Sequence, residues 1–425
     1  MRKNYILPEG LRVVELPSDS PVAICGIAVH AGTRHEAPGQ YGLAHFCEHL
    51  SFKGTARRSA MRILNDIEGL GGELNAFTNK EDTVFYCSIL RQHLDKALDV
   101  LLDIVFNSTF PQAEVEKECE VVCDEIESYE DSPADLIYDE FENILFDGHP
   151  LGHNILGTAD QVRAYTSDDA KRFTAQWYRP ENCVMFINHP LAHPRPLPKG
   201  EAHPLPLPKG GEESHLHPSD SSHTDSKTIQ PPLPLGGAGG GLFSRHRSTH
   251  QAHVMLGTTT YAASDDRRWA LYLLNNILGG PAMNSRLPLS LRERHGLVYT
   301  VESSMTSYSD TGLWTVYFGC DAADTDRCQR LVRRELDRLM DKPLSAAQLT
   351  AAKRQLHGQL AIACENREQF TLDYARTFLH TGHGRTLSDV MQHIDALTSA
   401  DLQQCACELF TPERLTTLIY EPSSC

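Results

Sequence analysis

The sequence predicts an α+β fold of two similar domains, each an antiparallel-rich sheet with helices packed on one face. First, a stretch rich in Pro, Gly and His divides the 425 residues into two parts of similar length. Second, both parts contain the same order of predicted elements, in which a TVFY or TVYF strand leads into a helix. Third, 40% of the residues are hydrophobic, which is enough to bury two cores and excludes a wholly disordered chain.

The first domain, predicted over residues 1–189, alternates strands with amphipathic helices. Runs of apolar and β-branched residues predict strands over residues 11–16, 22–29, 73–78, 83–88 and 183–187. Apolar residues at helical spacing predict helices over residues 42–52, 59–70, 92–106, 114–129, 134–146 and 167–177.

Residues 190–247 are predicted to be a flexible linker. The segment 190–241 contains 11 of the 24 prolines, repeats a short HPxPLPKG motif and ends in GGAGGG. It lacks the apolar periodicity of a core, and its composition favours an extended, solvated chain. The segment also contains five histidines that could bind metal, which would suit a metal-buffering protein; they are His193, His203, His215, His217 and His223. A solvated linker is the simpler interpretation.

The second domain, predicted over residues 248–425, repeats the order of elements of the first. Strands are predicted over residues 252–256 and 311–320, and helices over residues 267–278 and 324–340. The matching order predicts a weak internal duplication.

Charge and composition exclude several classes of protein. There are 39 basic and 56 acidic residues, a net charge of −17, which argues against a global nucleic-acid binder. No run of about 18 apolar residues occurs, so no membrane span is expected. The twelve cysteines show no disulfide framework and the first residues lack an apolar export signal, so reduced thiols in a cytoplasm are expected.

The most informative residues are His45, Glu48 and His49, in the sequence GLAHFCEHLSFKGT. On a helix, His45 and His49 share a face and can together bind one Zn²⁺. Glu48 can reach a water molecule on the same ion and take its proton. The pattern H-x-x-E-H is the inverzincin motif. On its own, so short a match is also compatible with ordinary helix packing.

A zinc site with two histidines needs a third protein ligand, and the predicted helix over residues 114–129 offers carboxylates. Glu118 and Glu125 are seven positions apart and therefore lie on nearly the same face. Cys119 and Cys123 could also bind metal, but we expect them, like Cys47, to pack in the core. The other acidic residues of this helix are expected to be solvated: Glu116, Glu120 and Glu127.

These motifs resemble the pitrilysin, or insulinase-like, zinc peptidases of family M16, over nearly the whole chain outside the linker. The sequence AGTRHEAPGQYGLAHFCEHLSFKGT is similar to the metal helix of that family. The resemblance implies that His45, His49 and Glu125 bind one Zn²⁺ per chain and that Glu48 is the general base. Glu125 follows His49 at the family's usual distance. Glu118 matches a second family carboxylate, which orients a ligand.

Two further segments resemble the same family. GGELNAFTNKEDTVFY is similar to its edge strand, which implies that Asn75, Ala76 and Phe77 bind peptide substrates as an added strand. SLRERHGLVYTVESSMTSYSDTG is similar to its C-terminal Arg/Tyr element. This implies that Arg292 and Tyr299 stabilise the developing oxyanion.

The presence of both elements in one chain resembles the short, two-domain, homodimeric members, which have a fold like that of the mitochondrial processing peptidase. This implies a chamber between two copies of the chain, in which Arg292 and Tyr299 approach the zinc ion of the other copy. The implied function is a zinc-dependent endopeptidase that hydrolyses short, unstructured peptides. The alternative is a non-catalytic binding or scaffold subunit of a heterodimer. The insert at 190–241 departs from the family pattern.

Overall fold

The structure is a computed structural model that describes residues 2–189 and 240–423. Within these residues the strands are β1 (Lys3–Ile6), β2 (Arg12–Pro17), β3 (Val22–Val29), β4 (Glu73–Thr78), β5 (Thr83–Leu90), β6 (Cys183–His189), β7 (Leu242–Arg247), β8 (Ala252–Thr260), β9 (Val298–Ser307), β10 (Gly312–Cys320) and β11 (Thr416–Pro422). The helices are α1 (Leu43–Ser51), α2 (Ala60–Glu68), α3 (Leu94–Phe106), α4 (Gln112–Glu130), α5 (Pro133–Leu145), α6 (Ala159–Ala164), α7 (Ser167–Trp177), α8 (Arg268–Gly279), α9 (Thr325–Asp341), α10 (Ala346–Ala363), α11 (Arg367–Thr381), α12 (Leu387–Ala396) and α13 (Ser399–Leu409).

The strands form two sheets of matching topology. The first has the order β1-β2-β6-β3-β5-β4 and the second the order β7-β11-β8-β10-β9. In each sheet one pair is parallel, β2 with β6 and β7 with β11, and the other neighbours are antiparallel. Apart from β1, the two sheets therefore have the same order and directions. This confirms the predicted α+β class and the internal duplication.

Strand β7 corrects the predicted end of the linker. Residues 242–247, assigned to the linker by the sequence, pair in parallel with β11, with Leu242 opposite Thr417. The strand lies at the edge of its sheet, and most of its side chains are exposed. It is held mainly by backbone hydrogen bonds, so its sequence, LFSRHR, lacks the apolar alternation of a buried strand. The linker histidines lie outside the described residues.

Each sheet packs its own helices on one face, as the sequence predicts. In the first half, Phe46 of α1 and Leu101 of α3 are fully buried in one cluster with Ile27 and Phe85 of the sheet. In the second half, helices α8, α9 and α13 build the equivalent core. Complete burial of such side chains contributes about 1.5–3 kcal/mol each.

The opposite face of each sheet is covered by a helix from the other half. Leu372 and Phe378 of α11 pack against Val184 and Phe186 in the first sheet. Reciprocally, helix α5 packs its residues Leu136, Ile137 and Phe141 on strands β8 and β11 of the second sheet. We refer to this arrangement as the helix exchange. No pattern in the sequence predicts this arrangement.

Polar contacts join the two halves close to the end of β4. Asp82 accepts hydrogen bonds from Arg376 and lies 2.9 Å from Nε2 of His380, both on α11. Arg34 binds Glu81 in its own half and Asp310 in the other. Asp82 is 1% exposed, so these contacts fix α11 against the β4–β5 turn.

All eleven cysteines among the described residues are free thiols, as expected. None of the helices in the described ranges has both the length and the apolar character that crossing a membrane requires.

Candidate metal centre

Helix α1 carries the H-x-x-E-H motif and begins at a tightly constrained turn. Gly42, which precedes the helix, has a φ of +88°, and a Cβ there would lie 2.4 Å from the carbonyl oxygen of Leu156. The carboxylate of Glu36 accepts hydrogen bonds from the backbone N–H groups of Gly42 and Ala44. Its Oε2 also lies 3.0 Å from Nε2 of His153. These contacts fix the start of α1, and thus the direction of the motif residues.

His45, His49 and Glu125 converge on one point, although Glu125 comes from a different helix, α4. Their ligand atoms all lie within 4.8 Å of one another. Oε2 of Glu125 is 3.8 Å from Nε2 of His45 and 3.5 Å from Nε2 of His49. Two imidazole nitrogens and one carboxylate oxygen form a typical donor set for zinc. Among the described residues, this is the only such group.

Glu118 orients the second histidine. Its Oε1 lies 3.0 Å from Nδ1 of His49, and its Oε2 accepts a hydrogen bond of 2.6 Å from Nζ of Lys53. This contact leaves Nε2 of His49 directed at Glu125. A carboxylate that holds the outer nitrogen of a histidine is the usual support of a metal ligand. The ring of His45 has no such support, since its buried Nδ1 has no hydrogen-bond partner among the described residues.

The electrostatics of the two histidines differ. Burial, with the neighbouring His49, lowers the pKa of His45 to about 3, so its ring is neutral and has a free lone pair. Burial also acts to lower the pKa of His49, but the hydrogen bond to Glu118 and the charges of Glu48 and Glu125 outweigh it, and that pKa is raised. This site fits a bound zinc ion, because its ligand types suit zinc, its ligand atoms approach one another closely and the ring of His45 is neutral.

Glu48 lies beside this group and is not one of its three converging ligands. It is 8% exposed, and its Oε2 accepts a hydrogen bond of 2.5 Å from Oγ1 of Thr78, the last residue of β4. Burial raises the pKa of Glu48, although the contact with Thr78 and the nearby His49 oppose the shift. A carboxylate with a raised pKa is better suited to accept and return a proton near neutral pH.

The predicted substrate residues lie on an open sheet edge that ends at Glu48. Strand β4, which contains Asn75, Ala76 and Phe77, pairs with β5 on one side only. Thr78, which binds Glu48, comes directly after Phe77. The free backbone groups of β4 are thus available for a further strand that would run towards the motif.

The structure places Arg292 and Tyr299 away from the three converging ligands. Arg292 lies in a short π-helix, Pro288–Glu293, and pairs with the adjacent Glu293. Tyr299 lies on β9, the open edge of the second sheet, and is 87% exposed. Among the described contacts, none joins either side chain to His45, His49 or Glu125.

The cysteines of the two helices pack as expected. Cys47, Cys119 and Cys123 are buried, and their thiols face backbone carbonyl oxygens of α6 and α7. The acidic residues expected to be solvated are exposed: Glu116, Glu120 and Glu127.

Sequence reasoning missed Lys53, Thr78 and Glu36. Lys53 lies just beyond the end of α1, four residues after His49, so its nearness to the motif is visible in the sequence. Thr78 and Glu36 carry no local signal, since each meets α1 only through the tertiary fold.

Comparisons with known proteins identify the family of the chain. The family described as insulinase (peptidase family M16) matches residues 13–159, and that described as peptidase M16 inactive domain matches residues 213–356. An uncharacterized zinc protease of Streptomyces coelicolor is 34% identical over 95% of this chain and 86% of its own. An uncharacterized zinc protease of Bacillus subtilis is 31% identical over 99% of this chain and 98% of its own.

Solved structures share the fold. A protease from Helicobacter pylori superimposes with a TM-score of 0.84 at 22% identity, over 99% of both chains. A peptidase M16 inactive domain from Pseudomonas fluorescens has a TM-score of 0.82 at 20% identity, over 100% of this chain and 98% of its own. With these matches and a metal-binding motif in the first half, the chain belongs to the insulinase-type peptidase family M16.

Proposed function

We propose that this protein is a zinc-dependent endopeptidase of the inverzincin type that hydrolyses short, unstructured peptides. The observation that carries the proposal is the convergence of His45, His49 and Glu125 beside the buried carboxylate of Glu48. The relatives carry the name zinc protease, which supports the proposal.

In this proposal His45, His49 and Glu125 hold one Zn²⁺ per chain. When bound, the ion would supply Lewis acidity, which would lower the pKa of a water molecule and polarise the peptide carbonyl. Glu118 holds the ring of His49 in the orientation that binding requires. The Glu48 carboxylate takes the proton of the attacking water and passes it to the nitrogen of the leaving amine.

The substrate is proposed to bind as a strand along β4, through Asn75, Ala76 and Phe77. Backbone hydrogen bonds would hold an extended peptide with little dependence on its sequence. In a folded protein most backbone groups are already paired, so short, unstructured peptides are the expected class.

We further propose that the active unit is a homodimer in the cytoplasm. Arg292 and Tyr299 of a second copy would donate hydrogen bonds to the carbonyl oxygen of the substrate. Their separation from the metal ligands within one chain and the exposure of Tyr299 support this arrangement. The free thiols support a reducing compartment.

The test is cleavage of a mixed pool of unstructured peptides, read by mass spectrometry, with the wild type beside Glu48→Gln. The proposal expects fragments from the wild type, none from Glu48→Gln, and equal zinc in both proteins. Equal cleavage by both would remove Glu48 from the mechanism. If neither protein cuts although zinc is bound, the alternative of a non-catalytic binding subunit gains support.

A further inference from the structure

A cavity of about 490 Å³ lies in the second half of the chain. It is formed where the segment around the π-helix meets the end of α9 and the start of α10. Four cationic side chains and one carboxylate line it, namely Arg286, Arg294, Arg338, Lys342 and Glu335. In a chain with a net charge of −17, such a concentration of positive charge is unusual.

The single carboxylate neutralises only one of these cations. Glu335 is buried and forms an ion pair of 2.6 Å with Arg338. Among the described residues, no carboxylate forms an ion pair with Arg286, Arg294 or Lys342. The described residues of the cavity wall therefore carry three more positive charges than negative ones.

Arg286 is the most informative of the three, because it is only partly exposed. Burial lowers its pKa, and the charge of Arg338 adds to this effect while Glu335 opposes it. Arg286 thus shares the single carboxylate of Glu335 with Arg338, and a bound anion would offset the cost of its partial desolvation.

The rest of the lining indicates what kind of anion fits. Ser345, which caps the N-terminus of the 18-residue helix α10, belongs to the wall, so the positive end of the helix dipole faces the cavity. Among the described residues the lining contains no aromatic side chain, so the aromatic platform on which nucleobases commonly stack is missing there. The volume is that of a small-molecule site.

We propose that this cavity binds a small polyvalent phosphate anion, with Arg286 as the principal contact and Arg294 and Lys342 at its mouth. Guanidinium groups bind phosphate oxygens in bidentate fashion, which is why two arginines and a lysine suit such a ligand. The cavity shares no residue with the metal centre. A test of anion binding is therefore independent of the peptidase proposal.

The probe is inorganic pyrophosphate, titrated calorimetrically into the full chain at constant ionic strength set with NaCl. We expect saturable binding of one anion per chain, and at least tenfold weaker binding of orthophosphate. Arg286→Gln should weaken pyrophosphate binding by about tenfold or more, the loss typical of one charge-assisted contact of about 1.4 kcal/mol or greater. Arg294→Gln, at an exposed position where folding is not at risk, should weaken it several-fold.

Two controls keep the result specific. Arg334→Gln removes an exposed charge from α9 that does not line the cavity, and it should leave the affinity unchanged. His49→Ala should also bind pyrophosphate normally. Absence of saturable binding, an equal loss in Arg334→Gln, or a loss confined to His49→Ala would each overturn the proposal, the last by placing the anion at the metal centre.

Discussion

The hydroxyl of Thr78 donates a hydrogen bond to Oε2 of Glu48 at 2.5 Å, so the last residue of an open edge strand touches the carboxylate of the metal motif. A peptide that adds to β4 would therefore lie against the strand that also positions Glu48. This contact links the proposed binding of substrate to the proposed transfer of a proton.

Removal of that contact should lower turnover without removing metal. In Thr78→Val the shape is kept and the hydroxyl is lost, so Glu48 is no longer fixed. We expect kcat to fall by about 10–100-fold, because small displacements of a catalytic group have effects of this size. Thr78→Ser keeps a hydroxyl and should retain most of the activity. Equal kcat in the valine variant and the wild type, at equal zinc content, would contradict the positioning role.

Loss of the Glu118 carboxylate should weaken the metal site. In Glu118→Gln the ring of His49 loses a charged partner, and zinc affinity should fall by about 10–100-fold. Competition with a chromophoric chelator measures this directly. The matched control is Glu120→Gln, on the same helix but exposed, which should bind zinc like the wild type. A similar affinity in both variants would show that Glu118 does not support the site.

Removal of zinc should lower thermal stability in a way that depends on the ligands. Because zinc binds only the folded site, a concentration 1,000 times Kd stabilises the fold by about 4 kcal/mol. We expect treatment with a chelator to lower the Tm, and added zinc to restore it. His45→Ala should show neither response. An unchanged Tm in the wild type after verified removal of zinc would show that zinc binding does not stabilise the fold.

The contact between Asp82 and α11 predicts sensitivity to acid. Burial would raise the pKa of Asp82, but the hydrogen bonds and charges of His380 and Arg376 outweigh it and lower that pKa. The stabilisation is therefore complete above the unfolded pKa of about 3.9 and is lost as the pH falls through the lower folded value.

Asp82→Asn should remove this dependence and destabilise the fold at neutral pH by about 1–3 kcal/mol, since the partly exposed Arg376 then loses its charged partner. Chemical denaturation at several pH values measures both effects. The control is Asp147→Asn, at an exposed position. If Asp82→Asn unfolds with the midpoint and acid profile of the wild type, the contact does not hold the halves together.

A mixture of two inactive variants should recover activity if the site is shared between copies. Glu48→Gln lacks the proton acceptor, and Arg292→Ala lacks the arginine. In a mixed dimer the intact metal centre of one copy meets the intact Arg292 of the other. After exchange at equal amounts, about a quarter of the wild-type activity should return, since half of the dimers have one working site out of two. No recovery despite verified mixed dimers would mean that Arg292 acts within its own chain.

The sequence predicted the metal motif because its spacing is local. The positions of His45, Glu48 and His49 on one helix follow from helical periodicity alone. Glu125 required the longer-range family resemblance, since nothing local shows that α4 crosses α1. Thr78 and Glu36 depend on how strands and loops meet α1, which periodicity does not encode.

The fold was predictable to a similar degree. Most strands with buried faces and most amphipathic helices of the first half were found because their patterns reflect burial. Strand β11 received no prediction although five of its seven residues are buried. Strand β7 was missed because an exposed edge strand has no such pattern. The helices beyond Asp341 received no prediction. The apolar residues of α11 indicate that one face of this helix is buried. They do not indicate that this face packs on the sheet of the first half.

The helix exchange also has a consequence for synthesis on the ribosome. The outer face of the first sheet, which includes Val184 and Phe186, is complete once β6 has emerged. Its cover, α11, begins at Arg367. At about 5–20 residues per second, the delay between them is roughly 10–35 s. During that time the nascent chain displays an uncovered apolar surface, so this face of the first sheet stays open to chaperones until the second half has been made.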